Sequence, residues 1–391
     1  KGRISTLKRR IYKVIIKLII AVVVLGVILI GGILAYRRIE QRHVQSQINQ
    51  IIDSGGISEI REIELGGVTQ YIAIEGMSQS KPLCLYLHGG PGLSVPYGIS
   101  ARGQNQDLLT HCTAVYWDQR GSGKSYDETL TSQNVSLTQL QQDAKELINY
   151  LLETFNKDKL YVIGFSWGTV LGMNLVKEIP QLIEAYFGIG QVVNPSKSDL
   201  ELYEWLIDEY ASIGANELVL ALKQMGYPPY QKVAHQELFT KAITNSGAYI
   251  KMHDGVAGLN ISKWIAQAFS SPDLSIKEAY ETLFKTSHKV LTQSNLWAEL
   301  NAVQFDEDMT NLKIPIYFIS GVDDYICSKD LLQQWFQKLQ APKKDYLILS
   351  HSAHYISTQD EPSMNDFIKQ IINEVYPTKE IKDEAGLNEV N

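Results

Sequence analysis

The sequence predicts an α/β domain: a mostly parallel eight-stranded sheet with helices on both faces, interrupted by a helical insertion and preceded by one membrane-length helix. Three observations predict it. Short apolar runs rich in β-branched and aromatic residues alternate with helical patterns along most of the chain. Glycine-rich turns close several of those runs. A charge-free apolar stretch lies near the N-terminus. At 391 residues and 45% hydrophobic, the chain is long enough to bury a sizeable core.

The first element is the apolar stretch. Leu18 to Tyr36 holds nineteen residues without a charge, about the length that spans a bilayer. Seven cations precede it (Lys1, Arg3, Lys8, Arg9, Arg10, Lys13, Lys17) and three follow (Arg37, Arg38, Arg42), so the positive-inside rule puts the N-terminus in the cytoplasm and the remaining domain outside. A cleaved signal peptide is the competing reading, against which stand the length of the stretch and the lack of a clear Ala-x-Ala site. Opening on Lys1 rather than Met, the chain is expected to be processed or trimmed. The expected organisation is a basic cytoplasmic segment (1–17), an anchor (18–36), a tether (37–56), a core (57–194 and 309–376), a helical cap (195–308) and a polar, frayed tail (377–391).

Strands are expected at Glu59–Leu65, Gln70–Ile74, Leu83–Leu87, Thr113–Trp117, Leu160–Ile163, Ile183–Gly188, Ile314–Ile319 and Tyr346–Leu349. The third runs into His88-Gly89-Gly90-Pro91-Gly92. Glycines let the main chain approach a reacting oxygen closely, while Pro91 donates nothing. The fourth runs into Asp118-Gln119-Arg120-Gly121-Ser122-Gly123, where small residues pass close to the preceding loop and Asp118 and Arg120 are structural charges. Gly123-Lys124-Ser125 mimics the end of a phosphate-binding loop, but Asp118 stands where that motif requires glycine, so a nucleotide site is not expected.

The fifth strand carries the most specific signal. It ends in Gly164-Phe165-Ser166-Trp167-Gly168, followed by a helical pattern from Thr169 to Lys177. Strand, G-x-S-x-G turn and helix together make a nucleophile elbow, which leaves Ser166 exposed above the sheet. An oxyanion formed on attack needs preorganised backbone donors, assigned here to the N–H groups of Gly90 and Trp167. For a serine presented this way, the carboxylate and then the histidine follow in chain order. His88, ahead of the serine, is thus a poor base and orients its loop. The seventh strand ends in Gly321-Val322-Asp323-Asp324-Tyr325; Asp324 is preferred over Asp323 because the Gly-x-x-Asp spacing carries it beyond the turn. The eighth ends in Ser350-His351-Ser352-Ala353-His354; His354 lies further into the loop and is preferred, with His351 as fallback.

Residues 57 to 376 resemble an α/β-hydrolase of the prolyl iminopeptidase type. His88-Gly89-Gly90-Pro91-Gly92, Asp118-Gln119-Arg120-Gly121-Ser122-Gly123 and Gly164-Phe165-Ser166-Trp167-Gly168-Thr169 match that family's motifs in order. Its Gly-x-x-Asp-Tyr and Ser-Ala-His match Gly321 to Tyr325 and Ser352 to His354. The resemblance implies hydrolysis of an N-terminal residue from a short peptide. The glutamate motif with which family members grip the substrate amine has no match in the middle of the chain.

That middle region, Pro195 to about Asp308, reads as interrupted helices, with Leu200–Ile213, Asn216–Met225 and Ser275–Phe284 expected. As a cap it is expected to cover Ser166 and select substrate. Glu201, Glu204 and Asp208 recur at helical spacing and offer an acidic face to an amine; a solvated helix face is the plainer reading. Trp205, Trp264 and Trp297 are candidates to line a pocket or to fill a core.

Charge and cysteines exclude other classes. Residues 1–43 hold ten Lys and Arg against one acid, leaving 26 against 42, or −16, for the rest. Such a domain repels nucleic acid, and beyond its anchor it repels anionic headgroups, so neutral or cationic substrates are expected. Cys84, Cys112 and Cys327 make no disulfide framework; no metal, flavin or nucleotide cofactor is implied. Three functions compete: an anchored serine aminopeptidase, an esterase or lactonase using the same residues on a small acyl substrate, and a catalytically silent membrane-tethered binding module.

Overall fold

This computed structural model describes residues 2–94, 102–103, 106–129, 134–230, 232–254 and 260–387. Its strands are β1 (Ile57–Leu65), β2 (Val68–Gly76), β3 (Leu83–Leu87), β4 (Thr113–Asp118), β5 (Leu160–Phe165), β6 (Ile183–Ile189), β7 (Ile316–Gly321) and β8 (Lys344–Leu349). The helices that frame them are α1 (Gly2–Asp53), α2 (Gln106–Leu109), α3 (Leu137–Thr154), α4 (Trp167–Glu178), α5 (Pro195–Ser212), α6 (Asn216–Met225) and α7 (Val233–Ser246). They continue with α8 (Ile261–Ser270), α9 (Ile276–Glu281), α10 (Ser287–Gln293), α11 (Leu296–Asn301), α12 (Phe305–Asp308), α13 (Lys329–Lys338) and α14 (Glu361–Leu387).

The strands form one sheet in the order β1-β2-β4-β3-β5-β6-β7-β8, with β2 antiparallel to β1 and β4 and every other pairing parallel. All eight lie where the sequence pattern expects them. β1, β2 and β8 start two residues earlier than expected, and β7 starts two later, at Ile316, because Pro315 has no N–H to give the ladder. Both faces of the parallel strands are apolar, as helices on both sides require. Leu160 and Val162 of β5 pack on one side with Leu147, Leu151 and Val170, while Tyr161 and Ile163 pack on the other with Ile368 and Ile372 of α14.

Between β6 and β7 the helices α5 to α12 form the insertion. Their own small core joins Leu202, Tyr203, Leu206 and Tyr210 of α5 to Leu222, Phe239 and Ala242. Helix α5 starts five residues earlier than expected, because the Asn194 side chain accepts the Lys197 N–H and Pro195 occupies the first turn. Ser275 and Glu278 close a capping box on α9, which runs through a π-helical turn (Thr282–Thr286) into α10. Helices α7 and α8 lie within a region read only as interrupted helix.

Helix α1 differs from expectation beyond Tyr36. It contains an apolar window of mean hydropathy 3.2, enough by length and composition to cross a membrane. The expected tether is helical through Asp53, with no Gly or Pro before Gly55 to break it. Val44, Ile48 and Ile51 share one face; Ile48 and Ile51 are buried, and Ile51 packs on Leu109, Ala114 and Tyr116. Of the polar tail, 377–387 continue α14 and 388–391 lie outside the described residues.

Candidate active site

The carboxyl ends of β3, β5, β7 and β8 deliver four turns to one edge of the sheet. At the end of β5, Ser166 has φ 51° and ψ −118°, one of two non-glycine residues with positive φ among those described. Such a conformation costs roughly 1–3 kcal/mol and persists only where surroundings fix it. They do so here: the Ser166 N–H donates to Ile189 O at 2.9 Å, and the Ser166 carbonyl accepts from Thr169 N and Oγ1. A Cβ on Gly168 would lie 2.0 Å from Leu87 O, and one on Gly164 would lie 2.8 Å from Gly168 O, so the elbow admits neither.

His354 Nε2 lies 2.9 Å from Ser166 Oγ, and His354 Nδ1 lies 3.0 Å and 3.1 Å from the two carboxylate oxygens of Asp324. Since a neutral imidazole has one N–H, the Asp324 contact assigns it to Nδ1 and leaves Nε2 to accept the serine proton. Asp324 is held in turn, its Oδ1 accepting the N–H groups of Ile326 and Cys327 at 3.0 and 2.8 Å. Both His354 and Asp324 are buried.

The neighbouring alternatives go elsewhere. Asp323 accepts the backbone N–H and the Nδ1 of His253, a residue of the insertion. His351 is exposed, and its N–H donates to Asp360. The same Asp360 carboxylate accepts from Ser352 Oγ at 2.7 Å, pinning the loop that carries His354. A Cβ on Gly321 would lie 2.1 Å from Ala353 O, so the acid and histidine loops are packed against each other through that glycine.

The β3 loop is held from beneath. His88 is buried; its Nδ1 donates to Gly89 O, and its Nε2 accepts the Gln119 N–H at 3.1 Å. Burial pushes its pKa down to about 4, so it is neutral and orients the loop. Gln119 Oε1 accepts from Trp167 Nε1 at 3.1 Å, linking this support to the elbow. The Gly90 and Trp167 N–H groups have no protein acceptor among the described residues. Arg120 makes a buried bidentate pair with Asp143, and Asp118 accepts the Lys124 N–H; both charges are used within the scaffold.

The insertion contributes Tyr249, whose ring centre is 5.8 Å from that of His354 and whose carbonyl accepts the Tyr355 N–H. It also contributes Asp199. This half-buried carboxylate acts electrostatically on Tyr249, Tyr230 and Cys327, and desolvation raises its pKa to about 6. It has no hydrogen-bond or ion-pair partner among the described residues.

The acids singled out in sequence are placed differently. Glu204 and Asp208 are exposed, and Glu201, also exposed, accepts from Ser328 Oγ. Trp205 stacks on Tyr325 at 4.5 Å, Trp264 is half-buried and Trp297 is 45% exposed. Asp199 was legible: it precedes Leu202, Tyr203 and Leu206 by three, four and seven residues, on the apolar face of α5, opposite Glu204 and Asp208. Tyr249 and His253 carried no local signal.

Carboxylate, thiol and imidazole ligand atoms of Asp324, Cys327 and His354 lie within 4.8 Å of one another. A metal there would need the Cys327 thiolate, yet burial beside Asp324 pushes that thiol well up, and the other two groups are bonded to each other. The donor set suits proton transfer better than metal binding.

A family described as alpha/beta hydrolase fold matches residues 82–360. The probable aminopeptidase YbaC of Bacillus subtilis (strain 168) is 30% identical over 318 residues, which cover 80% of this chain and 96% of that one. Among solved structures, the proline iminopeptidase-related protein of Thermus thermophilus aligns with a TM-score of 0.55 at 18% identity, over 82% of this chain and 99% of its own. The proline iminopeptidase of Mycobacterium smegmatis aligns with a TM-score of 0.52 at 14% identity, over 81% and 98%. At such identities these two structures speak for the fold alone.

Proposed function

The chain belongs to the alpha/beta hydrolase fold family, and we propose that it is a membrane-anchored serine hydrolase that releases the N-terminal residue of short peptides. The observation that carries the chemistry is the hydrogen-bonded series Ser166 Oγ, His354 Nε2, His354 Nδ1, Asp324.

In this reading His354 takes the Ser166 proton as Oγ attacks the scissile carbonyl, because a serine hydroxyl is a weak nucleophile until a base removes its proton. Asp324 keeps the imidazole in the Nδ1–H tautomer and stabilises the imidazolium. The negative charge that develops on the carbonyl oxygen is met by the N–H groups of Gly90 and Trp167. His354 then protonates the leaving amine, and water, activated by the same imidazole, hydrolyses the acyl-enzyme to return Ser166.

Two observations favour a peptide with a free amine. The relative that is 30% identical bears the name of an aminopeptidase. Asp199 offers a desolvated carboxylate, unpaired among the described residues, on the cap side and close enough to act on Tyr249, which faces His354. A substrate ammonium would supply the missing counter-charge. In this assignment Asp199 takes the role for which Glu201, Glu204 and Trp205 were candidates.

Residues 18–36 of α1 serve as the anchor, with the basic segment in the cytoplasm and the hydrolase domain outside. Protease added to intact cells would then cut the domain, whereas a cytoplasmic domain would be spared.

The activity test compares the full chain in detergent on a proline or alanine arylamide with a free amine, its N-acetyl twin and a short-chain p-nitrophenyl ester, each against Ser166→Ala. Turnover confined to the free-amine arylamide is the expected result. Ester cleavage alone would replace the reading with an esterase or lactonase, and no Ser166-dependent turnover would replace it with a binding module.

A further inference from the structure

The end of α8 and the segment that follows it are fastened to α1 just past the apolar span. Arg37, the first residue after the apolar span, donates to the carbonyls of Phe269 and Leu274, the latter at 2.9 Å, and Gln41 donates to Ser271 O at 3.2 Å. Arg102 pairs with Asp273 and Lys124 with Glu278, so the same hinge is also held from the core. With α1 crossing a bilayer, as proposed above, Leu274 is fixed at the level where hydrocarbon gives way to headgroups.

Helix α9 begins there and runs into the π-helical turn, and the outer face of the two is apolar. Ile276 is 54% exposed, Tyr280 48% and Phe284 54%, spaced at i, i+4 and i+8 along one stripe. The rings of Tyr280 and Phe284 lie 5.5 Å apart, and Lys285 Nζ lies over Tyr280 at 5.8 Å. Lys277 and Lys285 flank the stripe, both close to Glu281, which is itself buried. Aromatic rings beside lysines are the composition of a membrane–water interface, where the rings sit at headgroup depth; this patch carries two lysines against one buried acid, so it can approach anionic lipid locally although the domain as a whole, at −16, repels it.

The inner face of the same segment grips the loop proposed to hold the oxyanion. Beyond the π-helical turn, Thr286 Oγ1 lies 2.5 Å from Gly92 O and Ser287 Oγ lies 2.9 Å from Pro91 O. A Cβ on Gly92 would lie 2.8 Å from Ser287 Cα, so the two backbones are in direct contact. One short helical segment thus has an outer face suited to lipid and an inner face bonded to Pro91 and Gly92, one and two residues from Gly90.

We propose that α9 and the π-helical turn lie in the membrane–water interface with Ile276, Tyr280 and Phe284 inserted, and that this contact steadies the Gly90 loop through Thr286 and Ser287. The bilayer is then a second support of the catalytic site, not only an attachment. This rests on reading α1 as a bilayer span, and the test separates the two.

The full chain, carrying one added cysteine labelled with an environment-sensitive fluorophore, is reconstituted into vesicles containing phosphatidylserine and lipids with spin-labelled acyl chains. The three native cysteines are buried, and the wild-type chain gives the labelling background. Sites are Val24→Cys in the span, Phe284→Cys on the stripe and Asp345→Cys on β8, at the opposite edge of the sheet from β1. Strong quenching at 24 and 284 with none at 345 is expected. Quenching at 24 but not 284 overturns the interfacial helix and leaves the anchor standing; none at 24 overturns the anchor and this inference with it; equal quenching at 284 and 345 overturns it in favour of unoriented adsorption. As a second readout, Tyr280→Ser/Phe284→Ser should lower kcat several-fold in vesicles with KM little changed, and match wild type in detergent. Equal kcat in vesicles would overturn the coupling to the loop.

Discussion

The strand ends and the insertion position their groups in different ways. On the sheet, Gly90, Ser166, Trp167, Asp324 and His354 all stand within five residues of the end of a strand, so each is aimed by a ladder that continues through the core. In the insertion, Asp199 comes from a helix face and Tyr249 from the turn after α7; both owe their position to packing against other elements. Groups of the first kind are fixed tightly enough for chemistry that fails with a displacement of about an ångström. Groups of the second kind vary with the packing of the insertion's helices, which under the proposed function would suit them to choosing substrates.

Substitutions therefore should divide by region, with the sheet edge acting on kcat and the insertion on KM. The sharpest break would come at Ser166→Ala or His354→Ala, each expected to lower kcat by about four orders of magnitude or more with the circular dichroism spectrum unchanged. Next stands Gly90→Ala. Its φ of +120° is strained for any L side chain, and the new Cβ would meet Gly92 N at 2.7 Å, so a loss of about a hundredfold in kcat, with a smaller change in KM, is expected in steady-state kinetics.

His88 separates support from chemistry. Its pKa is pushed down to about 4 in the folded chain, below the ordinary histidine value of 6.5, so its stabilising contribution is present above pH 6.5 and is lost as pH falls toward 4. The change is about 3 kcal/mol across that window. Thermal melts from pH 7 to pH 4 should show it, and His88→Asn should flatten that part of the profile.

Asp199→Asn tests the insertion. KM for the free-amine arylamide should rise about tenfold, with kcat little changed, as for loss of one charge-assisted contact. Because burial raises the Asp199 pKa to about 6, wild-type kcat/KM should climb with pH through that value as the carboxylate ionises, and the variant should lack that limb. The smallest effect is expected at Glu204→Gln, on the exposed face of the same helix, where kcat/KM should change less than twofold. A large effect there would undo the distinction between the two faces of α5.

Much of the core was readable because its signals are local. Short apolar runs with turn residues at their ends located all eight strands, and the glycine spacing around Ser166 follows from one backbone bend. Gly-x-x-Asp and Ser-Ala-His picked Asp324 and His354 from their neighbours by loop position, and these are the two residues that meet. The acidic face of α5 was readable as a helix period, but the period alone does not say which face turns inward. Apolar Leu202, Tyr203 and Leu206 decide that, and they carry Asp199 with them.

The sequence by itself determined the strands, the elbow, the local motifs that carry the serine, acid and histidine, and an apolar stretch of membrane length, because each is set by residues close together in the chain. Tertiary structure decided the rest. The docking of Arg37 on Leu274, the His253–Asp323 contact, the approach of Tyr249 to His354 and the hold of Thr286 on Gly92 join residues from 70 to more than 200 positions apart. Such contacts are set by how amphipathic elements pack against one another, and no local propensity encodes them.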